Sequence, residues 1–379
     1  MAYYFIYPEK DTTLYSHPDR AKMNAGNDEI LEIVKEKGPT DSIYYPSRVL
    51  IKFKDDDIKT TISDIIGHSK FNDGTSSFAL KLYSTEHKNL STPLTLETFA
   101  ISQSWDEGTG RFSNLPLSSN GASWVYRDNS TTKTKWTTSS FTAGTSGSIN
   151  APGIIEGGGT WYTGTAFGSQ SFSKNQTLDT DINVTNIVTF FSASLFAGGT
   201  IENQGFIVKQ IDSVETNTSN SFGELKYFSS DTHTIYPPKL CFKWDDSIHT
   251  YQSSASLSGD LSVSLYRNKS KYNQNDVAKF RVHVRDKYPT RQFASSSNYL
   301  NIGYFTTSSY YSIRDAHTEE EVIPFDDNFT KMSADSEGMH FNIYMKSLQP
   351  ERYYRILFKH TNHDGTTIYD EKHHFKVIR

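Results

Sequence analysis

The stretch QSWDEGTGRF, residues 103–112, places Trp105 beside two acids, Asp106 and Glu107, and follows them with Gly108 and Gly110. Two carboxyls beside an aromatic ring could hydrolyse a glycan, but such a pair must flank one bond at roughly 5–10 Å. Neighbouring residues on a strand point to opposite faces, so these two acids fit that chemistry poorly. We therefore predict a structural corner with turn glycines, and keep calcium coordination by the acids as an alternative.

Other residues that could bind a metal are histidines and short acidic runs. His360, His363, His373 and His374 lie in a predicted hairpin and its strand, without the spacing of a zinc site, and we predict surface histidines. The acidic runs 55–57, 319–321 and 326–327 are typical of solvated loops, with calcium again as the lesser alternative. No nucleophile elbow or zinc-protease motif occurs, and we expect no catalytic residues, no metal and no cofactor.

Trp161 and Tyr162 stand in a polar region rich in Ser, Thr and Gly, residues 137–175, which we predict to form long surface loops, with a hairpin among them as an alternative. An aromatic pair in such loops is the best candidate for exposed rings that contact a glycan or a protein partner. The alternative is a loop that folds back on its own sheets. The glycine-rich run 155–160 lacks the Lys-Ser/Thr of a phosphate loop and predicts a flexible segment.

The amino-acid composition limits the fold classes in which these residues can lie. The chain has 379 residues, 21% charged and 14% aromatic, with abundant Ser, Thr, Asn and Gly. Aromatic and β-branched residues favour strands, whereas Ser, Thr and Asn compete with the helical backbone. A net charge of −5 with interspersed signs gives no basic track for nucleic acid and no membrane-binding patch. The composition predicts an all-β protein.

Alternating apolar residues predict strands along most of the chain, such as 47–53, 78–83, 94–101 and 261–266. Apolar residues at 58, 62, 65 and 66 predict one short helix near 57–66. A polar run after Trp244 suggests a boundary, which gives two β-sandwich domains in series, residues 1–246 and 247–379.

Several pieces of the first two-thirds resemble, in order, the DNRLRE-type β-sandwich family. They are Asp11–Tyr15, Ser47–Phe53, Phe78–Tyr83, Ser104–Gly110, Gly121–Trp124, Trp136, Asp181–Thr185, Val188, Asn203–Lys209, Tyr227–Ser230 and Pro238–Leu240. The resemblance covers roughly residues 1–246 and implies a jelly-roll-like sandwich in which Trp105 and Trp124 are packing residues. The motif that gives the family its name is absent, and the insertions at 137–175 depart from its compact form.

The last third is similar to immunoglobulin-like modules at one point. The segment LQPERYYRI, residues 348–356, has a proline-containing turn before a strand with aromatics near its start. We therefore expect a smaller immunoglobulin-like sandwich there.

We infer an expected function from the composition, the cysteine content and the N-terminal sequence. An adhesin-like composition, a single cysteine (Cys241) and an N-terminus that lacks the features of a signal peptide suggest a virion protein made in a host cytoplasm. The opening YYFIYPEKDTTLYSH is also similar to virion proteins of contractile-tailed phages. We expect a non-enzymatic structural protein of the tail, baseplate, neck or head decoration, whose partners are other virion proteins in a symmetric assembly. A module that binds a cell-surface glycan is the alternative, and a polysaccharide hydrolase is a third.

Overall fold

The computed structural model describes residues 2–88, 94–130, 132–138, 144–148, 151–164, 167–173, 177–250, 260–288, 303–363 and 365–379. Strands make up most of the regular structure and the helices are few and short, so the predicted all-β class is confirmed. Within these ranges no helix has the length and hydropathy needed to cross a membrane.

The chain forms two compact units that differ from the predicted domains. The larger unit holds residues 6–68 and 77–241, and the smaller holds residues 2–5, 69–76 and 242–379. The boundary falls between Cys241 and Phe242 rather than at 246/247, and two early segments belong to the smaller unit. One reason is that Tyr3 donates a hydrogen bond from its hydroxyl to the Asp326 carboxylate at 3.0 Å.

Among the described residues before 245 there are sixteen strands, most of them in the larger unit. They are β1 (Ala2–Ile6), β2 (Pro8–Tyr15), β3 (Ile30–Lys37), β4 (Tyr44–Phe53), β5 (Ser77–Lys81), β6 (Ser84–Lys88), β7 (Leu94–Ala100), β8 (Tyr126–Asp128), β9 (Thr134–Lys135), β10 (Thr145–Gly147), β11 (Thr160–Tyr162), β12 (Phe167–Phe172), β13 (Ile182–Asn183), β14 (Phe206–Gln210), β15 (Glu224–Phe228) and β16 (Lys239–Trp244).

One large sheet organises the larger unit. Its strand order is β12-β7-β14-β4-β3-β15-β6, and β2 also pairs with β4. The pairs are antiparallel; Val49 of β4, for example, faces both Thr13 of β2 and Val208 of β14. Val49 and its neighbours Leu50 and Ile51 are fully buried, so β4 is covered on both faces.

The structure contains more helix than the single segment predicted near 57–66. That segment is α1 (Asp55–Thr60) followed by a π-helical stretch (Thr61–Ile66), with α2 (His68–Asn72) close behind. Two further helices are α3 (Thr185–Ala197) and α4 (Asp212–Glu215). Phe191 of α3 contacts Phe206 of β14 with ring centroids 6.0 Å apart, so a helix covers part of the large sheet, a layer that the predicted jelly-roll-like sandwich lacked.

The region 137–175 was predicted to be long loops, and where it is described it contains three strands. β10 and β11 form the antiparallel hairpin, in which Ser146 faces Trp161. β12 joins the edge of the large sheet beside β7. Residues 139–143, 149–150, 165–166 and 174–176 of this region lie outside the described residues.

The smaller unit is built from two sheets. Its strands are β17 (Leu261–Tyr266), β18 (Lys271–Asn273), β19 (Val277–Asp286), β20 (Ser309–Asp315), β21 (Glu321–Ile323), β22 (Ser333–Asp335), β23 (Gly338–Tyr344), β24 (Tyr353–Asn362) and β25 (Gly365–Ile378). Their orders are β17-β19-β23-β22 and β18-β25-β24-β20-β21. Phe341 of the first sheet stacks on Tyr311 of the second at 4.2 Å, and Phe280 contacts Phe375 at 5.3 Å, which makes an aromatic core between the sheets.

This arrangement is immunoglobulin-like, as predicted. Taken in chain order, the strands reproduce the A-B-E-D sheet and the opposing G-F-C sheet of that fold. The Tyr354 hydroxyl donates a hydrogen bond to the Gln349 carbonyl at 2.9 Å. A tyrosine near the start of strand F that bonds back to the preceding turn is the tyrosine corner of such domains.

Replacing Tyr354 with Phe tests this corner. The variant removes this hydrogen bond to the half-buried Gln349, and we expect the free energy of unfolding of the smaller unit to fall by about 0.5–1.5 kcal/mol. The matched control is Tyr353→Phe, because the adjacent Tyr353 is half exposed, and it should change stability little. Chemical denaturation followed by circular dichroism measures both variants; equal effects would contradict the assignment.

Candidate functional site

The opening stretch QSWDEGTGRF forms a corner against the start of β2, and within it Trp105 and Gly110 are buried. The Trp105 side chain is buried, and its indole N–H donates to the Gln204 carbonyl at 2.9 Å. The Lys10 ammonium lies 4.3 Å from the centre of the Trp105 ring and also donates to the Trp105 carbonyl. Trp105 therefore packs inside the larger unit and presents no free face for a sugar.

The buried side chain of Asn24 clamps this corner. Its amide NH₂ donates to the Glu107 and Ala122 carbonyls at 2.6 and 2.8 Å, and its Oδ1 accepts from the Gly110 N–H at 2.8 Å. Gly108 has φ +79°, as predicted for a turn glycine, whereas Gly110 is not in the left-handed region. A Cβ at Gly110 would lie 2.2 Å from the Asn24 carbonyl, so close backbone approach is what requires glycine there.

Glu107 does not pair with Asp106 for chemistry; its carboxylate meets Asp11 of β2, 96 positions away. The Asp11 backbone N–H donates to Glu107 Oε1 at 2.9 Å. The Asp11 side chain is 1% exposed, and its Oδ2 accepts from the Ser230 N–H at 2.7 Å, while its Oδ1 accepts no hydrogen bond from the described residues. Sequence reasoning missed this pair because nothing near Asp11 marks it as buried.

Burial controls the protonation of this carboxyl pair. It raises the pKa of Asp11 to about 8 and that of Glu107 to about 7. The Asp231 charge adds a smaller upward contribution to both pKa values, Glu107 adds one to that of Asp11, and Asp106 adds one to that of Glu107. Hydrogen bonds from Ser230 to Asp11, and from the Asp11 N–H to Glu107, act in the opposite direction. The pair can hold a proton near neutral pH, but Asp11 is enclosed, so no substrate can reach it.

A second set of buried charges, the charge network, consists of Arg48, Glu215 and Lys209. Arg48 of β4 makes two bonds to Glu215 of α4, Nε to Oε1 at 3.0 Å and Nη2 to Oε2 at 2.7 Å. Its Nη1 donates to the Gly158 carbonyl at 2.6 Å. Both charged side chains are almost fully buried, and Lys209 lies 3.8 Å from the Glu215 carboxylate.

Aromatic rings enclose this network. The Arg48 guanidinium carbon lies 5.0 Å from the Trp124 ring centre and 4.8 Å from that of Trp161. The Trp124 indole N–H donates to the Ile155 carbonyl at 2.7 Å. Trp105, Trp124 and Trp161 belong to one hydrophobic cluster, so cations and backbone groups of the chain itself already occupy these rings.

The expectation that Trp161 and Tyr162 form an exposed pair is wrong. Trp161 is 5% exposed because β11 pairs with β10 and turns the indole onto Arg48. Tyr162 is half-buried, and its ring meets Phe190 edge-on at 5.0 Å. The alternative of a segment folded back on its own sheets describes the structure, and the glycines at 157–159 adopt fixed positive φ values within it.

The candidate metal ligands are dispersed. Among the described residues no group of three or more His, Cys, Asp or Glu side chains is arranged to hold a metal ion. His360, predicted on the surface, is buried instead and stacks on Phe305 at 4.5 Å. In the acidic runs, Glu319 and Glu321 pair with Arg355 and Arg314, each at 2.5 Å.

Comparison with known proteins matches no protein-family model and no curated protein. The assignment of roles therefore depends on the residues and geometry of this chain.

Stability should fall as the pH rises through the titration of the Asp11–Glu107 pair. An acid whose folded pKa is raised contributes fully below its unfolded value, near 4, and the contribution is lost as the pH rises to about 8 for Asp11. Asp11→Asn keeps an oxygen for the Ser230 N–H and removes the titration. We expect the variant to melt above the wild type at pH 8 and close to it at pH 4.5.

Differential scanning calorimetry between pH 4.5 and 8.5 measures this effect. Asp56→Asn, at an exposed position of α1, is the matched control and should follow the wild-type profile. An Asp11→Asn profile parallel to that of the wild type would show that this carboxyl does not titrate in the interval.

Glu215→Gln should be the most damaging conservative change in the charge network. It leaves the Arg48 cation buried without a counter-charge, and we expect a loss of about 3–5 kcal/mol in the free energy of unfolding. Replacing both partners, Arg48→Met with Glu215→Leu, should recover at least half of that loss, because the Arg48 charge is removed together with its partner and Lys209 keeps the carboxylates of Glu97 and Asp212. Glu86→Gln, at an exposed ion pair with Lys226, should cost under about 1 kcal/mol in the same urea titration.

A Glu215→Gln variant as stable as Glu86→Gln would contradict a structural role for the network. A double variant less stable than Glu215→Gln would contradict the desolvation argument.

Proposed function

We propose that this protein is a non-enzymatic structural component of a tailed bacteriophage particle that acts by protein–protein assembly. The all-β architecture and the resemblance of residues 1–246 to modules of virion proteins support the proposal. So does the use of the candidate catalytic and aromatic residues for internal packing: Glu107 bonds Asp11, and Trp161 covers Arg48.

The observation that carries the proposal is an apolar loop, residues 111–119, on the larger unit. Leu115 at its tip is 93% exposed, and Leu117 and Phe112 are also exposed. Burying one such leucine fully in an interface contributes about 1.5–3 kcal/mol. Apolar side chains concentrated at the tip of one loop are suited to a contact with a neighbouring subunit.

This apolar loop is held at both ends, so its tip is presented in one conformation. The Phe112 N–H donates to the Asp28 carboxylate at 3.1 Å, and the Asn24 N–H donates to the Ser118 carbonyl at 2.8 Å. The Phe112 ring contacts Tyr15 at 5.5 Å. A loop ordered before binding loses little conformational entropy in the interface, which favours affinity.

A glycan-binding role at Trp161 and Tyr162 loses its basis, because Trp161 is enclosed by Arg48, Lys209 and Phe99. A hydrolase that uses Asp106 and Glu107 loses its basis too, since Glu107 accepts the Asp11 N–H beneath the corner.

The assembly role predicts that the protein is found in purified particles and that the apolar loop is needed for its incorporation. Leu115→Asp combined with Leu117→Asp should reduce incorporation of a tagged chain at least about tenfold, since charged groups in an apolar interface are costly to desolvate. Quantitative mass spectrometry of particles purified from infected cells measures it.

The matched control is Ile368→Asp, at an exposed apolar position of β25. It should be incorporated like the wild type. Absence of the wild-type chain from purified particles would refute the particle role, and normal incorporation of the loop variant would refute the loop as the contact.

A further inference from the structure

The outer face of the four-stranded sheet in the smaller unit carries a row of basic side chains. Along β19, Ala278, Phe280 and Val282 are buried in the core. The intervening residues point outward because side chains alternate along a strand, and they are Lys279, Arg281 and His283. Basic side chains at every second residue thus share one face; Lys279 and Arg281 are cations, whereas burial and the Arg285 charge lower the pKa of His283 and favour its neutral imidazole.

A cavity of about 670 Å³ lies on this face. Among the described residues it is lined by Tyr266, Arg267, Lys279, Arg281, His283 and Glu337, together with one valine and one serine. Pockets of about 300–1,000 Å³ accommodate small-molecule ligands. The lining combines an aromatic ring with several hydrogen-bond donors.

Tyr266 and Arg267 form the exposed side of the cavity. The Tyr266 ring is 50% exposed, and the Arg267 guanidinium carbon lies 4.9 Å from its centre. Arg267 has φ +56°, a conformation uncommon for a residue other than glycine, and one that clusters at ligand sites. Arg267 forms no ion pair among the described residues, so its charge is available to a ligand.

The remaining cations are partly committed. Arg281 binds the Asp335 carboxylate with two bonds, 2.9 and 3.1 Å, and contacts Glu337 at 2.8 Å. Lys279 lies at 3.4 Å from the same Asp335. These bonds hold Arg281 in the wall of the cavity. Lys279 makes only a long, exposed ion pair, which a bound anion can displace.

We propose that this cavity binds an anionic saccharide. One sugar ring stacks on Tyr266, its acidic group binds Arg267 and Lys279, and its hydroxyl groups bond His283 and Glu337. The two carboxylates beside the basic row, Asp335 and Glu337, would repel a continuous phosphate backbone, and this favours a ligand with isolated acidic groups over nucleic acid. This inference is independent of membership in a particle, because it concerns a different unit and a different surface from the apolar loop.

An array of acidic glycans (uronate, sialylated, sulfated and phosphorylated), each printed beside its neutral counterpart, tests the proposal with the full chain. We expect binding to at least one acidic class, with the neutral counterpart bound at least about tenfold more weakly. Tyr266→Ala and Arg267→Gln should each weaken the binding about tenfold or more, and the affinity should fall with added salt.

The matched controls are Tyr353→Ala, because Tyr353 is also 50% exposed, and Lys359→Gln, at another strand lysine of the same unit. Both should bind like the wild type, and circular dichroism should show that all four variants are folded. A blank array, binding retained by both site variants, or equal affinity for a 20-nucleotide single-stranded DNA would each overturn the proposal. None of these results would alter the incorporation experiment.

Discussion

The buried ion pair between Arg48 and Glu215 is the interaction on which the interior of the larger unit depends. A guanidinium buried in a sheet needs a counter-charge and hydrogen-bond acceptors, and Arg48 obtains them from the carboxylate of Glu215 on α4 and the carbonyl of Gly158. Those partners come from chain segments 110 and 167 positions away. The rings of Trp124 and Trp161 then cover the cation, so two aromatics that resembled ligand-binding residues serve to exclude water.

Because these side chains are used inside the larger unit, the groups that can contact other molecules lie on the surface. The corner at Trp105, the Asn24 clamp and the Arg48 network are all enclosed, whereas apolar and basic groups remain exposed on the loop 111–119 and on the outer face of β19. The same strand alternation that buries Phe280 in the core places Arg281 on the outer face beside it. Interior residues thus determine the shape, and a small number of surface positions are left to contact other molecules.

Local pattern was sufficient to predict the class and the C-terminal fold. Alternation identified the strands, and the LQPERYYRI segment identified the immunoglobulin-like corner, because Tyr354 and Gln349 are only five residues apart. Helix α3 was missed because Thr, Val and Phe are strand formers, although the buried Ile187, Val188 and Phe191 follow a helical period. Here tertiary packing outweighed composition.

The sites were less predictable because their members are distant in sequence. No residue pattern near Asp11 indicates that Glu107 lies beside it. Trp161 was expected to be exposed because its neighbours in sequence are polar, whereas its partner Arg48 is distant in sequence. The basic row is visible in DVAKFRVHV as a Lys, Arg or His at every second residue, but alternation of apolar residues predicts only the strand and not a ligand site on its other face. A charged residue inside a strand buried on both faces, such as Arg48, is the signal that could have revealed the network.

The assignment of residues 2–5 to the smaller unit has a consequence for synthesis on the ribosome. Tyr4 rests edge-on against Tyr344 at 6.0 Å, so the first strand finds this neighbour only after some 340 further residues have been translated. Until then the AYYF segment lacks this ring contact. Completion of the smaller unit therefore waits for the synthesis of residues 242–379, and a chain that stops before Tyr344 would lack the aromatic ring on which Tyr4 rests.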